Sequence, residues 1–530
     1  MIDCDVVSLA LTRRAQETPD APFVKCGSEW LTFGALDAST SRLAGGLAQC
    51  GVGPGDHVAL LVPNRQEMVE LFFALAKLGA VQIPLNAWLR GEFLAYQLRD
   101  SQPQTLITDA AGYASAMPLF PQIGLKRVVL LDEIAELDTT VDHVAFADVA
   151  LGDPRRTPTQ GASAILSIIY TSGTTGLPKG CMLSHGYYTT TARVISEHGW
   201  MRPGDRLFTS WPLFHTSGQV VALMNALIGE GSVVIEPDFS ASTFMRSAAD
   251  HFATVLCGVG FMGAAILAQP PSSDDERFGF RLAIWVPMAP EAQLAFEARF
   301  KTPVYSESFG QTECFPITMA TSLEDRVRGT LGPPSPHVDI RLVDGDDNDV
   351  VDGTPGELVL RPRIPHAMFS GYWGKPEATS AAWHGLWHHT GDLARRGEQG
   401  SLVFVDRKKD SIRRRGENVS SVELEASITM LPGVAEVAVC AVPSLLGGED
   451  DIKAVIVPKG DPPLEPGETF SYFRDHLPYF AIPRYVQIRS QLPRNGLGRV
   501  MKHVLREEGV PSTVWDFEAM GLRIEKSERR

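Results

Sequence analysis

No two cysteines in this chain stand at Cys-x-x-Cys spacing, and their number, seven, is odd. That pattern speaks against a disulfide framework. It reads as reduced thiols in a cytosolic protein with no zinc site, each thiol serving as a small apolar group. No run of about 18 apolar residues occurs either, so nothing is expected to span a membrane. Basic charge is in deficit: 48 Lys and Arg face 63 Asp and Glu, a formal net charge of −15. Such a balance disfavours general binding to nucleic acid or to an anionic membrane. The opening string MIDCDVVSLALTRRAQ is acidic before it is basic and has no long apolar core, so it does not read as a secretory signal. No internal repeat is visible. What is present is ordinary for a globular protein, 44% hydrophobic and 21% charged residues. At 530 residues the chain exceeds one core, and about 150 residues per domain suggests three or four units, some of them fused.

The first part alternates strands and helices. Met68, Leu71, Phe72, Leu75 and Leu78 recur at helical spacing, and Gly79 stops the run. Asn64 with Glu67 resembles a capping pair at its start. VALLV at 58–62 and AVQIPL at 80–85 flank this helix as buried strands, which makes a βαβ unit. The alternation continues through RVVLLD, SAILSIIY, GSVVIEP and LAIWVP, so a mixed or parallel α/β sheet covered by helices is expected. After about Gly332 short alternating strands separated by Gly, Asp and Pro predict a smaller β-rich subdomain. DRKKDSIRRRGENVSS then packs six basic residues into 407–415 and reads as a linker or hinge, with a domain boundary near Lys409. The remainder predicts a small α+β domain in which Ser420 and Glu423 form a capping box.

YTSGTTGLPKG, at 170–180, follows the apolar strand AILSIIY. It offers hydroxyls at Thr171, Ser172, Thr174 and Thr175, loose backbone at Gly173, Gly176 and Gly180, and one cation, Lys179. Loop N–H groups, hydroxyls and an ammonium are what a polyphosphate needs. The string is not a Walker A loop, since it has no Gly-Lys-Ser/Thr triplet.

This string resembles the AMP-forming acyl-CoA synthetases, the superfamily that includes luciferases and peptide-synthetase adenylation domains. FGQTE (309–313), HTGDLARR (389–396), DRKKDSIRRRGENVSSVELE (406–425) and LPRNGLGRVMK (492–502) follow in that family's order and together cover nearly the full length. The later strings, with QPPSSDD at 269–275, look most like crotonobetaine/carnitine-CoA ligases. The resemblance implies a large N-terminal AMP- and acyl-binding domain, 1–408, and a small mobile C-terminal domain, 409–530, turning about Lys409. It also implies ATP, CoA and magnesium as cofactors and a carboxylic acid as substrate.

The family's roles carry over residue by residue. Glu313 matches the magnesium-binding glutamate and Thr312 the α-phosphate contact. Phe309 stands where the family often has tyrosine and can stack on adenine. Asp392 matches the ribose contact, and Arg407 a ribose or phosphate contact. WPLFHTSGQ (211–219) resembles the segment between acyl pocket and thiol tunnel, with His215 orienting the carboxylate and Trp211 and Phe214 beside it. Val259, Gly260, Ala289, Ser308 and Gly310 are expected to line the acyl pocket, and mostly small residues there leave room for a bulky apolar acid. VPMAP (286–290) departs from the Gly-Gly-Ala-Pro common in relatives, which alters the nucleotide fit. The basic run has two readings, a solvated linker or a hinge that attracts the phosphates of CoA, with Arg415, Gly416 and Glu417 in the thiol tunnel. The resemblance favours the second.

One residue departs from the pattern. In most relatives a lysine follows the glycine of the last motif and bridges carboxylate and α-phosphate during adenylation. By register that position is Arg499. Arginine keeps the charge but replaces a slender ammonium by a broad planar fork. The expectation is a CoA ligase that forms thioesters from acyl adenylates while its own adenylation step is weak or lost, with a separate adenylating enzyme as partner. The alternatives are a complete two-step acid–CoA ligase and a non-catalytic acyl-AMP-binding protein. The acid, the pathway and the oligomeric state are not given by the residues.

Overall fold

Met68, Leu71, Phe72, Leu75 and Leu78 share the helix Gln66–Leu78, which Gly79 closes at φ 80° by returning its N–H to the Leu75 carbonyl. This computed structural model describes residues 4–154, 160–171, 177–407, 411–444, 449–460, 464–494 and 500–525, without the side chains of 398, 406, 407, 411, 418, 422 and 503. The strands His57–Leu61 and Val81–Pro84 on either side of the helix are parallel neighbours, so the βαβ unit is present. Every residue from Leu71 to Leu78 is buried, because the helix sits beneath helix Phe33–Gln49 and inside the main core. Lys77 is carried inside with them. Its ammonium donates to Asp37 O at 2.6 Å, Asp37 Oδ1 at 2.8 Å and Ser41 Oγ at 2.8 Å, which supplies the partners a buried cation requires.

The capping role expected of Asn64 is not observed. Arg65 occupies the cap without a side-chain bond, and Glu67 pairs with Arg65 at 2.8 Å. Asn64 instead donates Nδ2 to the Trp211 and Glu236 carbonyls, both at 3.0 Å, and accepts the Leu213 N–H at 2.8 Å. Two long-range carbonyls and one amide outcompeted the local cap.

Two seven-stranded sheets form the N-terminal domain. In one, Asp142–Ala145, Arg127–Leu130, Thr105–Thr108, His57–Leu61, Val81–Pro84 and Ile165–Thr171 run parallel, and Lys179–Ser184 returns antiparallel beside the last. In the other, Val304–Tyr305, Leu282–Val286, Val255–Val259, Arg206–Thr209, Ser232–Ile235 and Pro22–Lys25 run parallel, and Trp30–Thr32 is antiparallel at the edge. The expected β-rich subdomain is an antiparallel five-stranded sheet that includes Val338–Val343, Gly356–Pro362, Trp387–Arg396 and Leu402–Arg407. Helix Gly260–Leu267 follows its strand without a spacer. A Cβ on Gly260 would lie 1.5 Å from the Pro287 carbonyl oxygen. Gly260→Ala is therefore expected to destabilise the protein by about 1–3 kcal/mol, read as a lowered thermal midpoint.

The C-terminal domain is a four-stranded sheet, Val434–Pro443, Asp450–Pro458, Tyr485–Ile488 and Trp515–Asp516, covered by helices Ser421–Thr429, Pro466–His476 and Lys502–Glu507. The fold class is thus the expected one, a large α/β N-terminal domain with a β-rich subdomain and a smaller α+β C-terminal domain. The basic run is not wholly a linker. Ser411–Arg414 and Glu417–Ser420 pair as a hairpin in which Ile412 and Val419 face each other and are both buried. Two apolar residues in register suffice to anchor a strand pair that charge alone leaves unmarked.

Ser420 does cap its helix, accepting the Glu423 N–H at 3.3 Å. Glu423 does not complete the box: its Oε1 is buried without a hydrogen-bond partner. Burial, with Glu92 adding to it, pushes the Glu423 carboxyl up to about 8 from 4.5. A raised carboxyl favours the fold while protonated. That contribution is complete below about pH 4.5 and is lost as pH rises through about 8. Glu423→Gln is expected to raise the thermal midpoint at about pH 9 and to leave it nearly unchanged at about pH 5.

Candidate active site

A cavity of about 1820 Å³ lies where the N-terminal sheets, the β-rich subdomain and the 411–420 hairpin meet. At one end, strands Ile165–Thr171 and Lys179–Ser184 bring Thr171 opposite Lys179, both on the wall. Ser172, Gly173, Thr174 and Thr175, which lie between them in the sequence, fall outside the described residues. The Lys179 ammonium sits 4.6 Å above the centre of the Tyr372 ring. Tyr372 in turn donates its hydroxyl to Glu313 Oε1 at 2.7 Å. Burial, reinforced by the Glu313 carboxylate, pushes the Tyr372 hydroxyl far above its ordinary pKa, so it remains a donor. Glu313 is thereby fixed on the cavity wall next to Thr312, whose carbonyl accepts from Tyr187 at 3.0 Å.

Gln311 links this corner to the β-rich sheet. Its Nε2 donates to Asp392 Oδ2 at 2.6 Å and to the Thr390 carbonyl at 2.9 Å. Asp392 is buried and pairs in register with Arg407 across the strands. Phe309 and Phe404 face each other with ring centres 6.5 Å apart, and both line the cavity. A carboxylate beside two aromatic faces suits the ribose and base of a nucleoside.

Trp211, Phe214 and His215 also line the cavity, with Val259, Ser308 and Gly310. The Ser217 N–H donates to His215 Nδ1 at 3.1 Å, and Ser217 Oγ lies 2.8 Å from the same nitrogen. Nδ1 is therefore the acceptor, and the proton sits on Nε2. Burial, with Arg413 adding to it, lowers the His215 pKa to about 4. At neutral pH His215 is an uncharged donor, able to hold a carboxylate or carbonyl oxygen without drawing a proton from it.

The hairpin turn closes the mouth of the cavity. Glu449 accepts the Arg415 N–H at 2.9 Å and the Gly416 N–H at 2.8 Å, which fixes the turn. Arg415 lies 5.7 Å above the Tyr479 ring centre. Gly416 has φ +80°, and a Cβ there would stand 3.1 Å from Phe261 Cε1. Glu417 also lines the cavity, and burial pushes its carboxyl up to about 7. Trp88 bridges the two domains, its ring 5.6 Å from Phe214 and 5.6 Å from Tyr479.

The AMP-binding enzyme family model matches residues 11–373, and the AMP-binding enzyme C-terminal domain matches 423–499. The chain belongs to the AMP-binding enzymes. It is an AMP-forming acyl-CoA ligase, and ATP, AMP and CoA are the cofactors of that family. A feruloyl-CoA synthase of Amycolatopsis sp is 31% identical over 93% of this chain and 97% of the relative. A crotonobetaine/carnitine–CoA ligase of Citrobacter koseri is 29% identical over 90% and 93%. Among solved structures, a double mutant of the o-succinylbenzoate CoA synthetase of Bacillus subtilis, bound to a product analogue, superposes with a TM-score of 0.80. That structure is 26% identical and covers 94% of this chain and 98% of its own.

Most expected site residues of this ligase share the one cavity. Three of the described ones do not reach its wall, the first being Asp392, which is buried next to the lining residues Thr390 and Gly391. Gly260 is pressed against the Pro287 carbonyl, and Ala289 is an exposed residue preceding helix Pro290–Phe300. The wall near Val259 is instead apolar and aromatic, with Phe261, Met262 and Val286. Lys409 and Arg499 lie outside the described residues, as does the side chain of Arg407. Sequence reasoning missed Tyr372, Gln311, Phe404 and Arg413. Gln311 stood inside FGQTE, and Tyr372 in the aromatic string GYWGKPE; Phe404 and Arg413 carry no local signal. Among the described residues no helix is long and apolar enough to cross a membrane.

Proposed function

We propose that this ligase forms acyl-CoA thioesters chiefly from an acyl adenylate and CoA, its own adenylation step being weak because Arg499 stands at the lysine position. Placement of the 414–417 turn against Val259 and Phe261, in front of His215, is the observation that carries this reading. It puts the basic hairpin beside Val259, Phe261 and His215 on the cavity wall. Lys502 supports the same reading. Its ammonium is 2.7 Å from Glu425 Oε1 and 2.8 Å from Ser421 Oγ, both in its own domain. Rotation of that domain would carry the pair along and would not release Lys502 to replace the missing lysine.

The roles follow from position. Thr171, Lys179, Thr312 and the 172–175 turn hold phosphate, Phe309 and Phe404 flank the base, and Asp392 with Arg407 receives the ribose. His215 Nε2–H orients the acyl carboxylate and later its carbonyl. Arg415 and Gly416 guide the thiol of CoA, and Glu417, poised near neutrality, accepts the thiol proton. Glu313 is the fitting residue for magnesium, since one fixed carboxylate plus phosphate oxygens suits an ion that keeps most of its waters. Magnesium bound there would offset phosphate charge. We assign residues 1–408 and 409–530 to the two domains, with the hinge at Lys409.

The substrate is a bulky apolar acid, and the aromatic wall of Trp211, Phe214 and Phe315 favours a planar ring. The feruloyl-CoA synthase relative supports an aromatic acid. A separate adenylating enzyme would supply the intermediate. The test compares two feeds: aromatic acids with ATP and CoA, and the matching acyl adenylates with CoA. Equal turnover of both would identify a complete two-step ligase. No thioester from either feed would identify an acyl-AMP-binding protein.

A further inference from the structure

The β-rich subdomain carries a cluster that thioester chemistry does not use. Asp347 lies in the acidic loop 344–349 with φ 63°. His384 and His389 face it from strands Trp383–His384 and Trp387–Arg396, which turn through Gly385 and Leu386. His384 Nδ1 is 2.5 Å from Asp347 Oδ2, and His389 Nε2 is 3.7 Å from Asp347 Oδ1. One ligand atom from each of the three residues lies within 4.8 Å of the others. Arg341 is turned to Asp349 Oδ1 and to the Asp347 carbonyl rather than to the Asp347 carboxylate.

The far side of His389 decides what faces Asp347. His389 Nδ1 lies 3.2 Å from Glu357 Oε2, and a carboxylate oxygen only accepts, so Nδ1 carries a proton. Nε2 is then the ring nitrogen that faces the Asp347 carboxylate and is placed to ligate an ion shared with it. Glu357 is itself buried and steadied by the Gly391 N–H at 3.2 Å. A buried carboxylate behind an imidazole is the arrangement that orients a ligating histidine and sets its tautomer.

We propose that Asp347, His384 and His389 form a site for a divalent transition ion of the zinc class. Two imidazoles and one carboxylate select such an ion over magnesium, which prefers an all-oxygen shell. Tetrahedral zinc, with bonds of about 2.0–2.1 Å, draws its ligand atoms to about 3.4 Å apart. His384 Nδ1 must back away from its 2.5 Å contact with Asp347 while the wider pairs draw in, and His384, 73% exposed beside the hairpin turn, has room to do so. Three protein ligands leave one position for water. All three residues stand on the cavity rim, and the strand of His389 runs on into Thr390, Gly391 and Asp392. The ion would clamp loop 344–349 to the strand that presents Asp392. Its role is positional, and Glu313 takes no part in it. Such a site departs from the expectation, drawn from the cysteines, of no zinc site.

The test uses the full-length, untagged protein, stripped with chelator and titrated with Co²⁺ and then Zn²⁺ without nucleotide or CoA. One cobalt per chain with a tetrahedral absorption band, bleached by zinc, is expected. His384→Ala and Asp347→Asn should each weaken cobalt binding by at least about 10-fold, and Glu357→Gln by about 10–100-fold with stoichiometry retained. Replacing the partly exposed Cys4 and Cys50 by serine should change nothing. Far-ultraviolet circular dichroism of each variant shows that it is folded, and only folded variants are scored. Failure of the wild type to bind one equivalent overturns the proposal. So does binding that persists in both His384→Ala and Asp347→Asn, and simple imidazolium–carboxylate pairing would produce the first of these results.

Discussion

Fed an aromatic acyl adenylate and CoA, the purified ligase is expected to form thioester at least about 100-fold faster than when fed the acid, ATP and CoA. The factor follows from geometry. Adenylation needs one cation to hold a carboxylate oxygen and an α-phosphate oxygen in line. At Arg499 the charge survives, but the ammonium's compact shape does not. A displacement of about 1 Å at a reacting pair costs about 10²-fold. On the proposed reading, thioester formation presents the hairpin side of the C-terminal domain and makes no use of position 499. Arg499→Lys should therefore restore pyrophosphate release from free acid and leave turnover of supplied adenylate unchanged. Lys502→Ala is the matching control. Because Lys502 is paired with Glu425 inside its own domain, its loss should not alter the ratio between the two feeds. Wild-type pyrophosphate release that keeps pace with thioester formation would reject the split.

Gly416→Val is expected to reduce thioester formation from supplied adenylate by about 100-fold. Two costs act together. Gly416 has φ +80°, which a β-branched residue adopts only under strain. Its Cβ would also press on Phe261 Cε1 at 3.1 Å before the methyl groups are counted. The turn must then lift from the cavity mouth, carrying Arg415 and Glu417 with it. Binding of the adenylate itself, followed by equilibrium dialysis, should be preserved, since Glu313, Thr312 and Lys179 lie elsewhere on the wall. Loss of adenylate binding in a folded variant would place the hairpin in the nucleotide site instead.

What could be read from the sequence was contiguous. The helix at 66–78 and its Gly79 stop were legible because one face period and one left-handed glycine are local facts. FGQTE and HTGDL were legible for the same reason, as short strings that keep their spacing. Asn64 shows where this fails. Its sequence neighbours advertise a cap, yet its partners, Trp211, Leu213 and Glu236, are nearly 150 residues or more away. The hairpin at 411–420 was hidden beneath its charges, since only Ile412 and Val419 mark it as structured. Gly260 looked like a spacious pocket residue, whereas its missing side chain accommodates the Pro287 backbone. The metal-type cluster joins a loop aspartate to two cross-strand histidines, a pairing that only the sheet register discloses.

Asn64 has one more consequence. It uses two hydrogen bonds to rivet the segment bearing Trp211 and Leu213, and a third to hold Glu236, at the start of a helix rooted in the other sheet. The acyl chamber thus rests on a bedrock shared by both sheets, and its breadth is governed from behind by a residue that no substrate touches. Engineering a looser appetite for acids would begin there, beneath the floor, rather than among the rings that the substrate meets.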